Sequence, residues 1–84
     1  MKGDRAVVTL NLVRRRETHD IDVPLDINAS ELLEALNQAY GLGLDVSESA
    51  RCYVKSENPI ALMHGRKTLG EYGIMNGSII NITE

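Results

Sequence analysis

The sequence predicts an α+β fold in which one helix covers one face of a mixed five-stranded sheet. Segments near both ends of the chain alternate apolar and polar residues, the pattern of half-buried strands. Residues 29–40 instead repeat their apolar side chains at helical spacing. Each element is apolar on one side only, so the helix and the sheet are expected to bury those sides against each other.

The composition fits one small domain that spans residues 1–84. Of the 84 residues, 43% are apolar and 25% are charged, which is ordinary for a globular chain and argues against disorder. The net charge of −3 leaves no basic surplus, so nucleic-acid binding is not expected. The lone Cys52 cannot form an internal disulfide, and no apolar stretch is long enough for a signal peptide or a membrane-spanning helix. These features predict a cytoplasmic protein.

The first two strands are predicted to form a hairpin. The first covers residues 7–13, a charged stretch over residues 14–19 turns the chain, and alternation resumes over residues 20–25. The inward-facing side chains are Val8, Leu10 and Leu12 on the first strand and Ile21, Val23 and Leu25 on the second. Pro24 cannot donate a hydrogen bond to a neighbouring strand, so the second strand is expected at an edge of the sheet.

The helix has clear start and stop signals. Asn28 followed by Glu31 has the spacing of a capping box, and Gly41 suits the left-handed residue that ends a helix. The apolar stripe between them consists of Ala29, Leu32, Leu33, Leu36 and Tyr40. These signals predict an amphipathic helix of about three turns.

The remaining elements are short. Residues 51–55 predict a third strand with Cys52 and Val54 inward, and residues 60–62 predict a fourth strand after a turn at Pro59. Residues 68–71 have a second capping-box spacing, which suits one short helical turn.

The last strand follows a tight turn at residues 76–77 and directs Ile80 and Ile82 inward. Both side chains are buried best if this strand lies in the middle of the sheet, parallel to the first strand. The resulting order of elements is that of the β-grasp fold.

The C-terminal third, residues 65–82, resembles the matching part of ubiquitin. The series Thr-Leu-x-Glu-Tyr-x-Ile over residues 68–74, followed by a turn and alternating aliphatic residues, carries this resemblance. It implies that Leu69 and Ile74 pin the short helical turn to the core. It also implies that the Tyr72 hydroxyl bonds to nearby backbone.

Nearly the whole chain resembles the YukD/EsaB group of small bacterial ubiquitin-like proteins, which are encoded with type VII (ESAT-6-like) secretion systems. The strand at residues 20–24, the helix after Asn28 and the stretch over residues 72–77 carry the resemblance. It implies an accessory or regulatory protein that docks reversibly on cytoplasmic domains of the secretion machinery, at the membrane periphery. An alternative is that these residues form the N-terminal domain of a larger membrane component of that system.

A sulfur carrier or covalent modifier is a second alternative among ubiquitin relatives. Such proteins extend past the last strand into a tail ending Gly-Gly, because only glycine is narrow and flexible enough to thread an activating enzyme's channel. The sequence here closes with Asn81-Ile82-Thr83-Glu84. We therefore expect neither conjugation nor sulfur transfer.

Catalysis is not expected from the residues present. Cys52 alternates inward with Val54, which favours a buried and inert thiol over a nucleophile. His19 and His64 are separated in sequence and lack the spaced cysteines or carboxylates of a metal site. The glycines fall at turns and caps and form no phosphate-binding loop. We expect no enzyme, no cofactor and no metal.

Two surfaces are candidates for protein binding. The open face of the sheet, opposite the helix, is predicted to be polar around one tyrosine, and its residues are Thr9, Asn11, Arg51, Tyr53, Lys55, Asn81 and Thr83. Tyrosine is a frequent interface anchor, which makes Tyr53 the first choice. The second candidate is the cationic run Arg14, Arg15 and Arg16. This run is either a solvated hairpin tip that discourages aggregation or a docking point for an acidic partner surface or a lipid headgroup.

Overall fold

The computed structural model describes residues 4–44 and 53–83. Its elements in chain order are β1 (Arg5–Leu12), a 3-10 helix (Val13–Arg15), β2 (Glu17–Pro24), α1 (Ala29–Tyr40), β3 (Val54–Glu57), β4 (Ala61–Met63) and β5 (Ile79–Ile82). The strands form one sheet in the order β2-β1-β5-β3-β4. The β1–β5 pair is parallel and the other pairs are antiparallel. The predicted mixed five-stranded sheet and its central last strand are confirmed.

The N-terminal hairpin has the predicted alternation, except that β2 ends at Pro24, so Leu25 packs partly buried against the core from the turn beyond the strand. Val8, Leu10 and Leu12 are buried on β1, as is Val23 on β2. Ile21 is only partly buried, because β2 lies at the edge of the sheet and has a neighbour on one side only. The edge position predicted from the proline in this strand is confirmed.

The hairpin turn is tighter than predicted. The 3-10 helix and Arg16, which has a left-handed φ of 55°, reverse the chain, so β2 begins at Glu17. The charged residues after Arg16 therefore belong to the strand and pair with β1, with His19 opposite Leu10. The sequence signal missed this because edge strands tolerate charged side chains that a central strand would exclude.

The predicted helix is confirmed at both ends. The Asn28 side chain accepts a hydrogen bond from the Glu31 N–H at 2.9 Å, and the Glu31 carboxylate accepts one from the Asn28 N–H at 3.0 Å. Gly41 ends the helix with a φ of 60°. The buried face, which covers the sheet, consists of Ala29, Leu32, Leu33 and Leu36.

The third and fourth strands lie further along the chain than predicted. Arg51 and Cys52 lie outside the described residues, and β3 begins only at Val54 and continues to Glu57. Its second inward residue is the buried Ser56, whose hydroxyl donates to the Pro59 carbonyl at 2.8 Å. A buried serine interrupts the apolar alternation from which strands are predicted, which is why the strand's extent was missed. In consequence the fourth strand is β4, Ala61–Met63, rather than residues 60–62.

The segment over residues 68–74 forms a hydrogen-bonded turn that bonds to the residues just before the helix. Thr68 donates its N–H to the Glu71 carboxylate at 2.8 Å, and the Thr68 hydroxyl accepts from the Glu71 N–H at 3.2 Å. The backbone and hydroxyl hydrogen bonds from Thr68, and then the charge of Lys67, lower the pKa of the Glu71 carboxyl. Leu69 and Ile74 are buried in the core, so their structural role is confirmed.

Candidate protein-binding surface

The open face of the sheet is the side away from α1. By strand alternation and register its side chains include Asp20 and Asp22 of β2, Val7, Thr9 and Asn11 of β1, Ile79 and Asn81 of β5, Lys55 and Glu57 of β3, and Leu62 of β4. Tyr53 directly precedes β3 and Thr83 directly follows β5, and both are exposed. The sheet therefore presents a continuous surface built from all five strands.

A ladder of polar side chains crosses the middle of this face. The Asn11 amide donates to the Asn81 side-chain oxygen at 2.9 Å, and the Asn81 amide donates to the Glu57 carboxylate at 2.8 Å. The ladder joins β1, β5 and β3 and holds each side chain in one orientation. A surface that is fixed in this way loses little side-chain freedom when a partner binds.

Tyr53 lies at one end of the face and is about half exposed, at 53%. Its ring lies against that of His64, with ring centroids 5.6 Å apart. The Tyr72 hydroxyl in turn donates to the His64 carbonyl at 3.0 Å and accepts from the His64 N–H at 3.2 Å. The predicted bond from the Tyr72 hydroxyl to nearby backbone is thus present, and it fixes the residue on which Tyr53 rests.

The structure brings most of the predicted site residues to one face. Lys55 is opposite Asn81 in the β3–β5 register, and Tyr53 and Thr83 are the next residues at the same end of these strands. Arg51 lies outside the described residues. The two candidate surfaces also adjoin, because the 3-10 turn contacts β5.

The hairpin tip forms a shallow cleft with the end of the sheet. The cleft has a volume of about 210 Å³ and is lined by Leu12, Arg14, Arg15, Leu42 and Ile82. Its mixture of apolar and cationic walls is compatible with a small anionic group, but Arg15 is already engaged elsewhere.

The three arginines of the hairpin tip are not equivalent, although they were predicted to act as one cationic run. The Arg15 guanidinium donates to the carbonyls of Tyr40 and Gly41, at 2.9 Å each. These carbonyls lie at the C-terminus of α1, where backbone acceptors lack partners within the helix and the dipole favours a cation. Arg15 therefore caps the helix, whereas Arg14 and Arg16 are exposed on the turn.

Replacing Arg15 by alanine is expected to lower the free energy of unfolding by about 1 kcal/mol, because the helix C-terminus loses a charge-assisted cap. The matched change Arg14→Ala is expected to stay within about 0.5 kcal/mol of the parent, as surface substitutions usually do. Urea unfolding followed by circular dichroism measures both. Equal stability of the two variants would contradict the capping role.

Sequence reasoning missed the apolar part of the open face. Val7 is 52% exposed and Leu62 is 49% exposed, and Ile79 is partly buried on β5, between the strands that carry them. The face is therefore less polar than the prediction of one tyrosine among polar residues. Val7 could have been found from its position, one residue before the inward Val8. Leu62 could not, because the fourth strand was placed one residue too early.

The His19 side chain makes local contacts. The His19 ring lies 5.0 Å from the Tyr40 ring and its Nε2 is 3.4 Å from a Glu17 carboxylate oxygen. Within residues 4–44 and 53–83, no group of three or more His, Cys, Asp or Glu side chains is arranged to hold a metal. Over the same residues, no helix is long and apolar enough to cross a membrane.

Comparisons with solved structures agree on the fold. The C-terminal ubiquitin-like domain of mouse tubulin-specific chaperone e superposes with a TM-score of 0.74 at 15% sequence identity, over 96% of this chain and 87% of that one. A protein designed de novo on the basis of ubiquitin gives a TM-score of 0.63 at 20% identity, over 94% of this chain and 87% of the other. At these identities the similarity shows a ubiquitin-like fold alone.

Comparisons of sequence give the family. The search of curated proteins found no significant match. The family model for YukD, described as a protein of the WXG100 protein secretion system (Wss), matches residues 6–82, which include every strand and the helix except the first residue of β1. The chain belongs to the YukD family of WXG100 secretion proteins.

Proposed function

We propose that the protein is a non-catalytic accessory or regulatory component of a type VII (WXG100) secretion system that acts by docking reversibly on other proteins through the open sheet face. The observation that carries the proposal is the fixed Asn11-Asn81-Glu57 ladder, with Tyr53 exposed at one end of the same face. Family membership supports the link to secretion.

The composition of the face suits reversible binding. Tyr53 offers a half-exposed aromatic ring supported by His64, the type of residue that often dominates binding energy. Lys55 beside it is exposed and adds charge that steers an acidic partner. The centre of the face is polar and already hydrogen-bonded, so a partner can leave it without exposing a large apolar area.

The proposed partners are cytoplasmic domains of the membrane-bound secretion machinery, and the proposed location is the cytoplasm at the membrane periphery. Two other functions are compatible with the same fold. The chain could serve as the N-terminal domain of a larger membrane component, or as a sulfur carrier or covalent modifier.

The test is capture of partners by the tagged protein from native cells, with and without Tyr53→Ala. We expect the parent protein to capture secretion components that mass spectrometry identifies. The captured amount is expected to fall about tenfold with Tyr53→Ala, the loss typical of an interface anchor. Met75→Ala is the matched control, since Met75 is 51% exposed at the opposite end of the sheet.

Arginine variants locate the docking surface. If capture fell only in Arg14→Ala or Arg16→Ala, docking would move to the hairpin tip and the sheet-face proposal would be wrong. Adducts that survive denaturant would indicate a covalent modifier. Detection of the sequence only within a longer membrane polypeptide would favour the N-terminal domain of a larger membrane component.

A further inference from the structure

The two edges of the sheet are built very differently. The edge strand β2 carries the exposed carboxylates Glu17, Asp20 and Asp22 and ends at Pro24. Charges and proline on an edge strand discourage another chain from pairing with it. The opposite edge strand, β4, is Ala61–Met63 and carries neither. Among the described residues, no segment pairs with the outer side of β4.

Apolar side chains mark the β4 edge. Ile60, immediately before the strand, is 90% exposed, and Leu62 within the strand is 49% exposed. Isolated exposed apolar residues are common, but these two belong to one uncharged edge. The edge combines unpaired backbone groups with exposed apolar side chains, and a site that binds an extended segment uses both.

Side-chain hydrogen bonds hold both ends of β4. Before the strand, the Ser56 hydroxyl donates to the Pro59 carbonyl at 2.8 Å, and the Ser78 hydroxyl donates to the Asn58 carbonyl at 2.6 Å. After the strand, the Tyr72 hydroxyl bonds to both backbone groups of His64. A strand that is fixed in advance costs less to order when a partner pairs with it.

We propose that the β4 edge binds an extended segment of a protein partner, which adds to the sheet as a sixth strand. The inference rests on the proposed function only in taking a protein as the partner. Backbone hydrogen bonds to β4 supply affinity, and apolar side chains at alternate positions of the segment contact Ile60 and Leu62.

Nearby charges specify one end of that segment. Lys55 is opposite Leu62 in the β3–β4 register, and Arg66 and Lys67 follow the strand, all three exposed. Acidic residues that flank the apolar positions of the partner segment complement these cations. The bound segment is therefore apolar at alternate positions in its centre and acidic at the end that lies beside Arg66 and Lys67.

A second copy of the chain fits this edge less well. Pairing two β4 strands would join only three residues with three, whereas stable interfaces bury about 800 Å² per partner. An extended segment of another protein can continue past both ends of β4 and contact Ile60 and the cations together.

The test uses a capped heptapeptide of alternating valine and threonine, titrated into the isotopically labelled protein. Glutamate at each end of the peptide places a carboxylate beside Arg66 and Lys67 in either strand direction. NMR shifts and slowed amide exchange are expected in residues 60–64. A peptide N-methylated at alternate residues keeps its side chains but loses backbone donors, so we expect it to bind about tenfold or more weakly.

Matched variants separate the edge from the rest of the sheet. Leu62→Lys is expected to weaken binding of the peptide about tenfold, because it places a charge on the edge. Val7→Lys, at nearly the same exposure but on β1, is expected to change binding less than about twofold. Thermal unfolding confirms that both variants fold.

Several outcomes would overturn the proposal: no binding at millimolar peptide, shifts centred on β2, or equal binding of the N-methylated peptide. Sedimentation that shows dimers dissolved by Leu62→Lys would assign the edge to a second copy instead. Because the peptide test needs no secretion component, its failure would leave docking through Tyr53 standing. Loss of partner capture alone would leave strand addition standing.

Discussion

Replacing Leu69 by alanine is expected to lower the free energy of unfolding by about 3–4 kcal/mol, since a completely buried leucine loses its burial and leaves a cavity. Leu69 lies where the turn over residues 68–74 meets the segment that precedes the helix. Its N–H donates to the Ile27 carbonyl at 2.8 Å, and its carbonyl accepts from the Ile74 N–H at 3.0 Å. These bonds hold the backbone in place, so the site cannot collapse to fill the space.

A loss of this size is a large part of the stability of a small domain, about 5–15 kcal/mol in total. The midpoint of thermal unfolding is expected to fall by about 4–8 °C for each kcal/mol. Leu62→Ala is the matched control, because Leu62 is about half exposed and its truncation is expected to cost less than about 1 kcal/mol. Similar midpoints for the two variants would show that Leu69 is not part of the core.

Ser78→Ala is expected to cost about 2–4 kcal/mol, although only one oxygen atom is removed. The Ser78 side chain is completely buried. Its hydroxyl donates to the Asn58 carbonyl at 2.6 Å and accepts from the Met75 N–H at 3.0 Å. The variant leaves a donor and an acceptor without these partners, and each unsatisfied buried group costs about 1–3 kcal/mol.

Ser56→Ala provides a graded comparison, measured by the same urea titration. The Ser56 hydroxyl makes one bond, to the Pro59 carbonyl, so about half the loss is expected. If Ser78→Ala lowered the free energy of unfolding no more than Ser56→Ala does, solvent or a shift of the turn would be replacing the missing partner.

The parts of the fold that were predictable depend on neighbours in sequence. The cap at Asn28, its partner Glu31 and the ending at Gly41 lie within one helix, and the structure has all three as predicted. The inward alternation of β1 and β5 was equally clear, because apolar side chains occupy the inward positions of both strands. The limits of β3 were not predictable, since Ser56 is buried only because Pro59 offers a carbonyl nearby.

The candidate site was harder to predict because it depends on register. Tyr53, Lys55 and Asn81 were placed on one face by alternation alone. The bonds that order this face join residues far apart in sequence, such as Asn11 and Asn81, and no local pattern announces them. The same holds for Arg15, whose partners are carbonyls at the far end of the helix.

The central pair of strands, β1 and β5, has a consequence for synthesis of the protein. A nascent chain completes β1 when Leu12 is made, but the strand that lies beside it ends at Ile82. Until then the helix can pack on the apolar side of the hairpin, but the rest of the sheet is not yet in place beside β1. Contacts between such distant residues form slowly, because a long loop must close first. The growing chain on the ribosome therefore presents an incompletely covered apolar surface to chaperones and proteases until nearly all of the domain has emerged.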